Sequence, residues 1–394
     1  MGHQAGQDRI TSFAIWSRRF PLRRPIGDNS CTYDRLTLIV VRLSTHSRQD
    51  GWGYATLTTE GHFERDAWFI GQVAPIEQLR QAFEDRWWRS LRIDGPESIT
   101  SPSDVASDYF YLDTAIRNAL WDLWAKRHKL PLSNLLSQMH QGDLRPAAPA
   151  YASLLDFPLE GSAAVTLARQ YAKAGFSRMK VKVGAPDRER DLARLRAIGA
   201  ATSQPLTLSA DANEGWDAST AIETLDFFQR NDIRLAYIED PLPRDAIDDF
   251  KILQRACSVP IVAHDYYDSL SQIDALCRNV KLHQLRVSSD SIDFALACVL
   301  YAREQGLQVS MGNSFGEANT HLALAFPHVA IVEYSDLGWH RLLQHPITVR
   351  DGHLVAPNVP GTGLDPLLPA LEQLPGNETA SSLSADRSTP FPEQ

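Results

Sequence analysis

The pattern of apolar and polar positions changes near residue 148. From there on, short apolar runs alternate with amphipathic segments of helical period, such as residues 193–201. Alternation of this kind is typical of parallel strands joined by crossover helices. Eight such runs follow one another: AAPAYASLL, RMKVKVG, PLTLSADAN, LAYIEDP, PIVAHD, HQLRVSS, LQVSMGN and AIVEYSD. Eight strands with about seven helices between them predict an α/β fold, a TIM-like (β/α)7β barrel.

The earlier part of the chain mixes strands and helices. Residues 35–43 (RLTLIVVRL) are rich in β-branched residues and predict a strand, with residues 51–56 as its hairpin partner. Further on, apolar side chains recur at helical spacing and predict an amphipathic packing helix. They are Leu112, Ile116, Ala119, Leu120 and Leu123.

These patterns divide the chain into four parts. Residues 1–145 are predicted to form an α+β capping domain, and residues 146–340 the barrel. Residues 341–375 contain several Pro and Gly residues and are expected to return to the capping domain. Residues 376–394 are poor in apolar residues and are expected to be disordered.

Composition narrows the class of protein. With 394 residues, 43% of them hydrophobic, the chain can bury a large core. A formal net charge of −9 disfavours binding to nucleic acid or to an anionic membrane. No run approaches the roughly 18 apolar residues of a membrane span, and the N-terminal segment MGHQAGQDRITSF lacks a signal-peptide core, so a cytoplasmic location is expected. The widely spaced cysteines are expected to be reduced: Cys31, Cys257, Cys277 and Cys298.

Candidate chemistry lies at the ends of the predicted barrel strands, because functional side chains collect at the carboxyl ends of such strands. The last polar residues of successive runs are about one βα unit apart and can therefore converge on one mouth. They are Lys180, Lys182, Asp211, Asn213, Glu239, Asp265, Arg286, Asn313 and Glu333.

Three carboxylates end successive runs: Asp211, Glu239 and Asp265. Brought together, they would repel and raise each other's pKa, and a divalent cation removes that penalty. Oxygen ligands without a thiol or histidine cluster favour Mg²⁺, with Mn²⁺ as the other candidate. Each acid taken alone could instead cap a helix.

Two lysines, Lys180 and Lys182, are separated by one residue and so point to the same face of the predicted strand. Near each other and near a cation, their pKa values are expected to fall, which makes one of them a candidate base. The alternative is a pair of lysines on a solvated edge.

The ordered set KVK, DAN, IEDP and the Asp of PIVAHD resembles the enolase superfamily, and more narrowly its mandelate racemase group. The resemblance covers most of the chain, including the helix AIRNALWDLWAK and the stretch NSFGEANTHLALAFPHVAIVEY. It implies that a small carboxylate substrate chelates Mg²⁺ at the three acids. A base then removes the proton α to the carboxylate, and the metal stabilises the ene-diolate. It also implies a symmetric homo-oligomer.

The resemblance assigns roles residue by residue. Lys182 matches the base, and Lys180 matches the neighbour that tunes it and touches the substrate carboxylate. Asn213 matches a substrate-contacting position. Glu333 matches the carboxylate-binding glutamate, which could donate a hydrogen bond if it were protonated.

One departure from the family pattern bears on the reaction. The mandelate racemase group carries a second base, a histidine after strand seven held by an aspartate after strand six, and these positions are Asn313 and Arg286 here. Neither can accept a proton, so racemisation loses its second participant. Lys182 alone could instead perform a syn β-elimination, with Arg286 and Asn313 binding substrate. A loop residue could supply another acid, or the protein could be a catalytically silent carboxylate-binding homologue. The candidate loop acids are His264, Tyr266, Tyr267 and Tyr54.

Of these, the first explanation is favoured. It predicts a lyase of the acid-sugar dehydratase type, which converts a sugar acid into a 2-keto-3-deoxy acid; a racemase, epimerase or cycloisomerase of a hydroxy acid is the alternative. Two predicted capping loops, residues 21–29 and 54–63, are expected to select the substrate, with Arg23, Arg24 and Asp28 contacting its hydroxyls.

Overall fold

The N-terminal part of this computed structural model is an antiparallel sheet with helices against one face. The structure describes residues 9–58, 62–63, 73–88, 91, 109–159, 161–263, 265, 267 and 269–382. The first elements are β1 (Ile10–Gly27), β2 (Cys31–Thr45), β3 (Asp50–Leu57), β4 (His62–Phe63), α1 (Ile76–Ala82) with a π-helical turn (Phe83–Trp87), α2 (Phe110–Arg127) and α3 (Leu132–His140). Strand β2 pairs antiparallel with both β1 and β3, which confirms the predicted strand and its hairpin partner.

Helix α2 packs on one face of this sheet through the predicted apolar positions. Leu112 and Ile116 are fully buried there, in one cluster with Phe13 and Ile39. Close packing depends on Gly53 in β3, because a Cβ at that position would lie 1.9 Å from the backbone oxygen of Ala115. The predicted packing helix is therefore confirmed.

Eight parallel strands form a closed barrel, with β12 paired to β5. The barrel elements are β5 (Ala148–Leu155), α4 (Gly161–Lys173), β6 (Arg178–Lys182), α5 (Arg188–Gly199), β7 (Thr207–Asp211), α6 (Ala218–Arg230), β8 (Ile238–Glu239), α7 (Ile247–Ala256), β9 (Ile261–Ala263), α8 (Leu270–Asn279), β10 (Gln284–Val287), α9 (Ile292–Glu304), β11 (Val309–Met311), a 3₁₀ turn (Phe315–Glu317), α10 (Thr320–Ala325) and β12 (Val329–Tyr334). Seven helices cover the strands, so the predicted (β/α)7β barrel with a capping domain is confirmed.

The register of the strands places the polar residues at their carboxyl ends at the same height along the barrel axis. Lys182 is the Cα partner of Asp211, and Asp211 is the partner of Glu239. Side chains alternate along a strand, so Val181 faces the helices while its neighbours on either side face the barrel axis. Val181 accordingly lies in the buried cluster between strands and helices.

The chain then returns to the N-terminal sheet. After a 3₁₀ turn (Trp339–Arg341) come β13 (Thr348–Arg350), β14 (His353–Val355), α11 (Leu368–Glu372) and β15 (Gly376–Ser382). Strand β14 pairs with the start of β5. Leu343, Leu364 and Leu371 pack on the second face of the sheet, with Trp16 and Trp52.

The expectation of disorder from Gly376 onward is wrong for Gly376–Ser382, which form β15 along β1. Edge pairing uses backbone groups, so it does not need apolar side chains. Glu378 adds side-chain contacts, since its Oε2 accepts from Trp16 Nε1 at 3.1 Å and from Arg18 Nη2 at 2.5 Å. The remaining residues of the predicted tail lie outside the described residues.

Two further observations concern the cysteines and the apolarity of the helices. All four cysteines are free thiols, as expected. In the described part of the chain, no helix has both the length and the apolarity that a membrane span needs.

Candidate active site and metal centre

Three carboxylates meet at the mouth of the barrel. One oxygen each of Asp211, Glu239 and Asp265 lies within 4.8 Å of the other two. Asp211 and Glu239 are completely buried, and the Asp265 side chain is 14% exposed. The predicted convergence of these three strand ends is therefore present in the fold.

This acidic triad fits a hard divalent cation. Oxygen Oε2 of Glu239 is buried and has no hydrogen-bond partner among the described residues. Burial raises the pKa of Glu239 to about 8, although Arg286 and Lys180 lower it. A buried carboxylate oxygen without a partner is costly, and oxygen-only ligands suit Mg²⁺. These residues could thus hold Mg²⁺ or a similar ion.

Lys182 lies at the edge of the triad, with its side chain 17% exposed. Its Nζ is 2.7 Å from Oδ2 of Asp211 and 2.7 Å from Oδ1 of Asn213. Asn213 adopts a left-handed backbone conformation (φ 45°), which asparagine tolerates better than most residues, and its backbone N–H donates to Asp211. The amine is therefore held beside the triad by Asp211 and Asn213.

Lys180 lies deeper in the barrel and is completely surrounded. Its Nζ contacts Glu239 and lies 3.1 Å from Oδ2 of Asp211 and 3.5 Å from Oε2 of Glu333. Burial and Arg286 lower its pKa, but the three carboxylates more than offset this and raise it well above the usual value. Without a bound metal ion Lys180 is thus held as a cation, and the expected fall of both lysine pKa values beside a bound metal ion stays a prediction.

Arg286 fills the centre of the barrel and is 2% exposed. Its Nε lies 2.5 Å from Oδ1 of Asp265, its Nη1 donates to the Tyr151 hydroxyl at 2.6 Å and to the backbone oxygen of Met311 at 3.3 Å, and its Nη2 donates to Glu333. Four protein acceptors and deep burial disfavour the predicted contact between Arg286 and a substrate.

Glu333 is an acceptor in this network. Burial raises its pKa, but Lys180 and Arg286 outweigh burial and bring it down to about 2. Glu333 is therefore ionised, in contrast to the expectation that a protonated Glu333 could donate a hydrogen bond. Its carboxylate balances the two buried cations.

Two predicted substrate contacts have other surroundings. Asn313 is exposed, and its Oδ1 accepts a hydrogen bond from Ser335 Oγ at 2.8 Å. Arg24 is half-buried on β1, where its charge lowers the pKa of Asp156.

The other capping positions have structural partners. Arg23 forms an ion pair with Asp336 at 2.6 Å. Asp28 accepts hydrogen bonds from Ser30 and Cys31 in the β1–β2 turn. Of the two predicted loops, residues 21–27 belong to β1 and 54–57 to β3, because strand pairing extends further than the apolar pattern suggested.

The two candidate loop acids that the structure describes also have structural partners. Tyr54 lies on β3 and is buried, with its hydroxyl donating to the backbone oxygen of Leu364 at 2.7 Å. The Tyr267 hydroxyl donates to the backbone oxygen of Arg244 at 2.6 Å. Both hydroxyls thus support structure, which argues against either as a general acid. His264 and Tyr266 lie outside the described residues.

Sequence reasoning missed three residues of the site. Tyr151 bridges Arg286 and Glu333 through its hydroxyl. Asp240 is buried, and its Oδ2 accepts a hydrogen bond from the backbone N–H of Asp265 at 3.2 Å, which orients that loop. Asp156 directly follows the first barrel strand. The sequence would have indicated Asp156 if the search for polar residues at the ends of the strands had begun at the first barrel strand.

Comparison with known proteins agrees with this geometry. Residues 163–369, more than half of the chain, match the family model "Enolase C-terminal domain-like". The chain is 26% identical over 337 residues to 3,6-anhydro-alpha-L-galactonate cycloisomerase from Streptomyces coelicolor, covering 83% of this chain and 88% of that protein. It is 30% identical over 335 residues to a hydrophobic dipeptide epimerase from Roseobacter litoralis, covering 82% and 87%. Other matching relatives are an L-talarate/galactarate dehydratase and a muconate cycloisomerase.

Solved structures give the same result. The crystal structure of L-talarate dehydratase from Polaromonas sp. JS666, complexed with Mg and L-glucarate, superimposes with a TM-score of 0.76 at 25% identity and covers 95% of this chain and 100% of that one. Family model, relatives, closed barrel and strand-end acids agree, and the chain belongs to the enolase superfamily, among its mandelate racemase- and muconate lactonizing enzyme-like members.

Proposed function

We propose that this protein removes the proton α to a carboxylate with the help of Mg²⁺ and then expels a β-hydroxyl group as water. Its substrate would be a sugar acid and its product a 2-keto-3-deoxy acid. One observation carries the proposal. Lys182, whose side chain is partly exposed, lies beside the acidic triad, whereas the family's second-base positions hold a buried arginine and an exposed asparagine.

Lys182 would be the base. Asp211 and Asn213 hold its amine at the level where the three carboxylates converge. Its partial exposure leaves an approach for a substrate. In its amine form Lys182 would take the α-proton, and as an ammonium it would carry that proton on the same face of the substrate.

Lys180 and a cation held by the acidic triad would stabilise the negative charge that develops on the substrate. An α-proton beside a carboxylate is a very weak acid, so positive charge must meet the charge that develops when it leaves. Asp211, Glu239 and Asp265 would hold Mg²⁺, which when bound supplies most of that positive charge. Lys180 adds a fixed cation, since its pKa is raised well above the usual value.

A single base has a stereochemical consequence. Proton removal and return on one face retain configuration at the α-carbon, and elimination on that face is syn. Racemisation and epimerisation need a second proton carrier on the opposite face. Arg286 cannot fill that role, because a guanidinium stays protonated at working pH.

Cycloisomerisation is the second candidate, since it too can proceed with one base. The 3,6-anhydro-alpha-L-galactonate cycloisomerase that matches 83% of this chain supports it. Sugar-acid dehydration is supported by the dehydratases among the relatives and by a structural neighbour complexed with Mg and L-glucarate. Each alternative involves the same first proton transfer.

A screen of sugar acids in D₂O with MgCl₂, followed by ¹H NMR, tests the proposal. Dehydration predicts deuterium uptake and a 2-keto-3-deoxy product. Deuterium uptake with an epimer as product would contradict the proposal that Lys182 is the single base. Saturable binding without exchange or product on any sugar acid would mean a carboxylate-binding protein without turnover.

A further inference from the structure

Asp156 lies beside Lys182 at the mouth of the barrel. Leu155, the last residue of β5, is the Cα partner of Val181 in β6, so Asp156 comes level with Lys182. Leu155 and Val181 are both buried in the cluster between strands and helices. Because side chains alternate, the residues that follow them both turn toward the barrel axis.

The backbone at Asp156 is anchored from two sides. Arg194 on α5 donates from Nη2 to the backbone oxygens of Leu155 and Asp156, at 2.8 and 2.9 Å. The backbone N–H of Phe157 donates to the Gly27 oxygen of the capping sheet at 3.2 Å. The side chain therefore has a fixed origin at the junction of barrel and cap.

The Asp156 side chain is nearly enclosed, since the residue is only 3% exposed. Arg194 and the backbone N–H of Leu159 donate to its backbone oxygen rather than to its carboxyl group. Charged and titratable neighbours face it from five elements and the β1–β2 turn: Lys182, Glu333, Arg24, Tyr33, Arg194 and Asp28.

Burial has a second consequence. It raises the pKa of Asp156 to about 6, even though Lys182 and Arg24 lower it. An ordinary aspartic acid has lost its proton well below that pH. A carboxyl group in this position therefore keeps its proton to a higher pH than an ordinary aspartic acid does.

The proposed dehydration needs a proton for its leaving group, and either the Lys182 ammonium or a separate acid beside it could supply one. Hydroxide is a poor leaving group, and the positions of the family's second acid–base pair hold Arg286 and Asn313. Arg286 is held by protein acceptors, and Asn313 has no acidic proton. An acid beside the base would supply the proton that the leaving hydroxyl group needs.

We propose that Asp156 is the general acid that protonates the leaving β-hydroxyl group of the sugar acid. This inference rests on the proposed function. Lys182 takes the α-proton, and the electron pair of the broken C–H bond passes into the ene-diolate of the substrate. That pair then forms the Cα–Cβ double bond as the Cβ–O bond breaks. The carboxyl proton of Asp156 passes to the departing oxygen, which leaves as water. The enol then takes a proton at Cβ and releases its hydroxyl proton, and proton transfer from Lys182 to Asp156 restores both groups.

Asp156→Asn tests this role, because it removes the proton and keeps the shape. The substrate is the sugar acid found by the D₂O screen, compared with its analogue that carries fluorine in place of the β-hydroxyl. Fluoride leaves without protonation, so the variant should release it at the wild-type rate. Loss of water should fall about 100-fold or more, while deuterium exchange at the α-carbon stays within a few-fold. Asp187→Asn, at an exposed helix N-cap, should change none of the three rates.

A measurement on the unchanged protein provides a second test. The ratio of water loss to fluoride release should fall as the pH rises through the range in which Asp156 loses its proton. A constant ratio, or a variant that loses water at the wild-type rate, would overturn the role of Asp156. An equal fall of all three rates in Asp156→Asn would mean a structural role. Absence of α-proton exchange in the wild-type protein would instead contradict the proposed function itself.

Discussion

Arg286 and Asp265 are joined by a contact of 2.5 Å between Nε and Oδ1, inside the barrel mouth. The same guanidinium donates to Glu333 on β12. The Arg286 guanidinium, which is always charged, thus links Asp265, a candidate metal ligand, to Glu333 on another strand of the barrel. The arrangement makes Arg286 part of the electrostatic support of the site.

Replacing this arginine is therefore expected to destabilise the fold. Arg286→Met leaves the Glu333 and Asp265 carboxylates without their main cation, and breaking a buried ion pair in this way costs about 3–5 kcal/mol. Urea unfolding measures the change, and added MgCl₂ should recover part of it by neutralising Asp265. Arg278→Met is the matched control, since Arg278 is 75% exposed and pairs on the surface with Asp274. Equal unfolding free energies for both variants would contradict this view of Arg286.

Removing the proposed base should stop the first proton transfer. Lys182→Ala is expected to lower α-proton exchange by about 10³-fold or more, because the proposed mechanism has no other base on the face of the substrate that carries the α-proton. Exchange is followed by ¹H NMR in D₂O, and Mg²⁺ binding should persist. Lys173→Ala, at an exposed position of α4, should exchange like the wild type. Exchange within a few-fold of the wild type in Lys182→Ala would rule out the assigned base.

The buried acid beside Lys182 should lower stability at neutral pH. The folded-state pKa of Asp156 is about 6, against the usual 3.8, so the native state holds its proton more tightly than the unfolded chain. The stability that this protonated group contributes is complete below pH 3.8 and is lost as the pH rises through 6. Asp156→Asn should thus be more stable than the wild type above pH 7, by about 3 kcal/mol, with a smaller gain at pH 5. Unfolding at pH 5 and pH 8 measures the difference, and an equal effect at both would show that ionisation is not its cause.

Much of the fold followed from local patterns. Eight apolar runs and the amphipathic helix at Leu112 and Ile116 report burial that each segment carries in its own residues. Strand β15 could not be found in this way, because its pairing with β1 uses backbone groups that every residue has. Tyr54 fell both in the predicted hairpin strand 51–56 and in the predicted capping loop 54–63, and the strand is correct, since β3 continues through it by backbone pairing with β2.

The site was predicted as far as the strand-end rule reaches. It brought Asp211, Glu239 and Asp265 to one place, because parallel strands end at one mouth. It could not state which charges dominate around Lys180, because that depends on three carboxylates from three other strands. The partners of Arg286 likewise depend on side-chain packing across the barrel.

The proposed chemistry depends most on a cation held by the three strand-end acids. Calorimetric titration of the chelator-treated protein with MgCl₂ tests this directly. We predict one saturable site per chain that is lost in Asp211→Asn and in Glu239→Gln and kept in Asp226→Asn, a change at an exposed position of α6. Absence of saturable binding, or a site that survives both substitutions in the triad, would contradict the account.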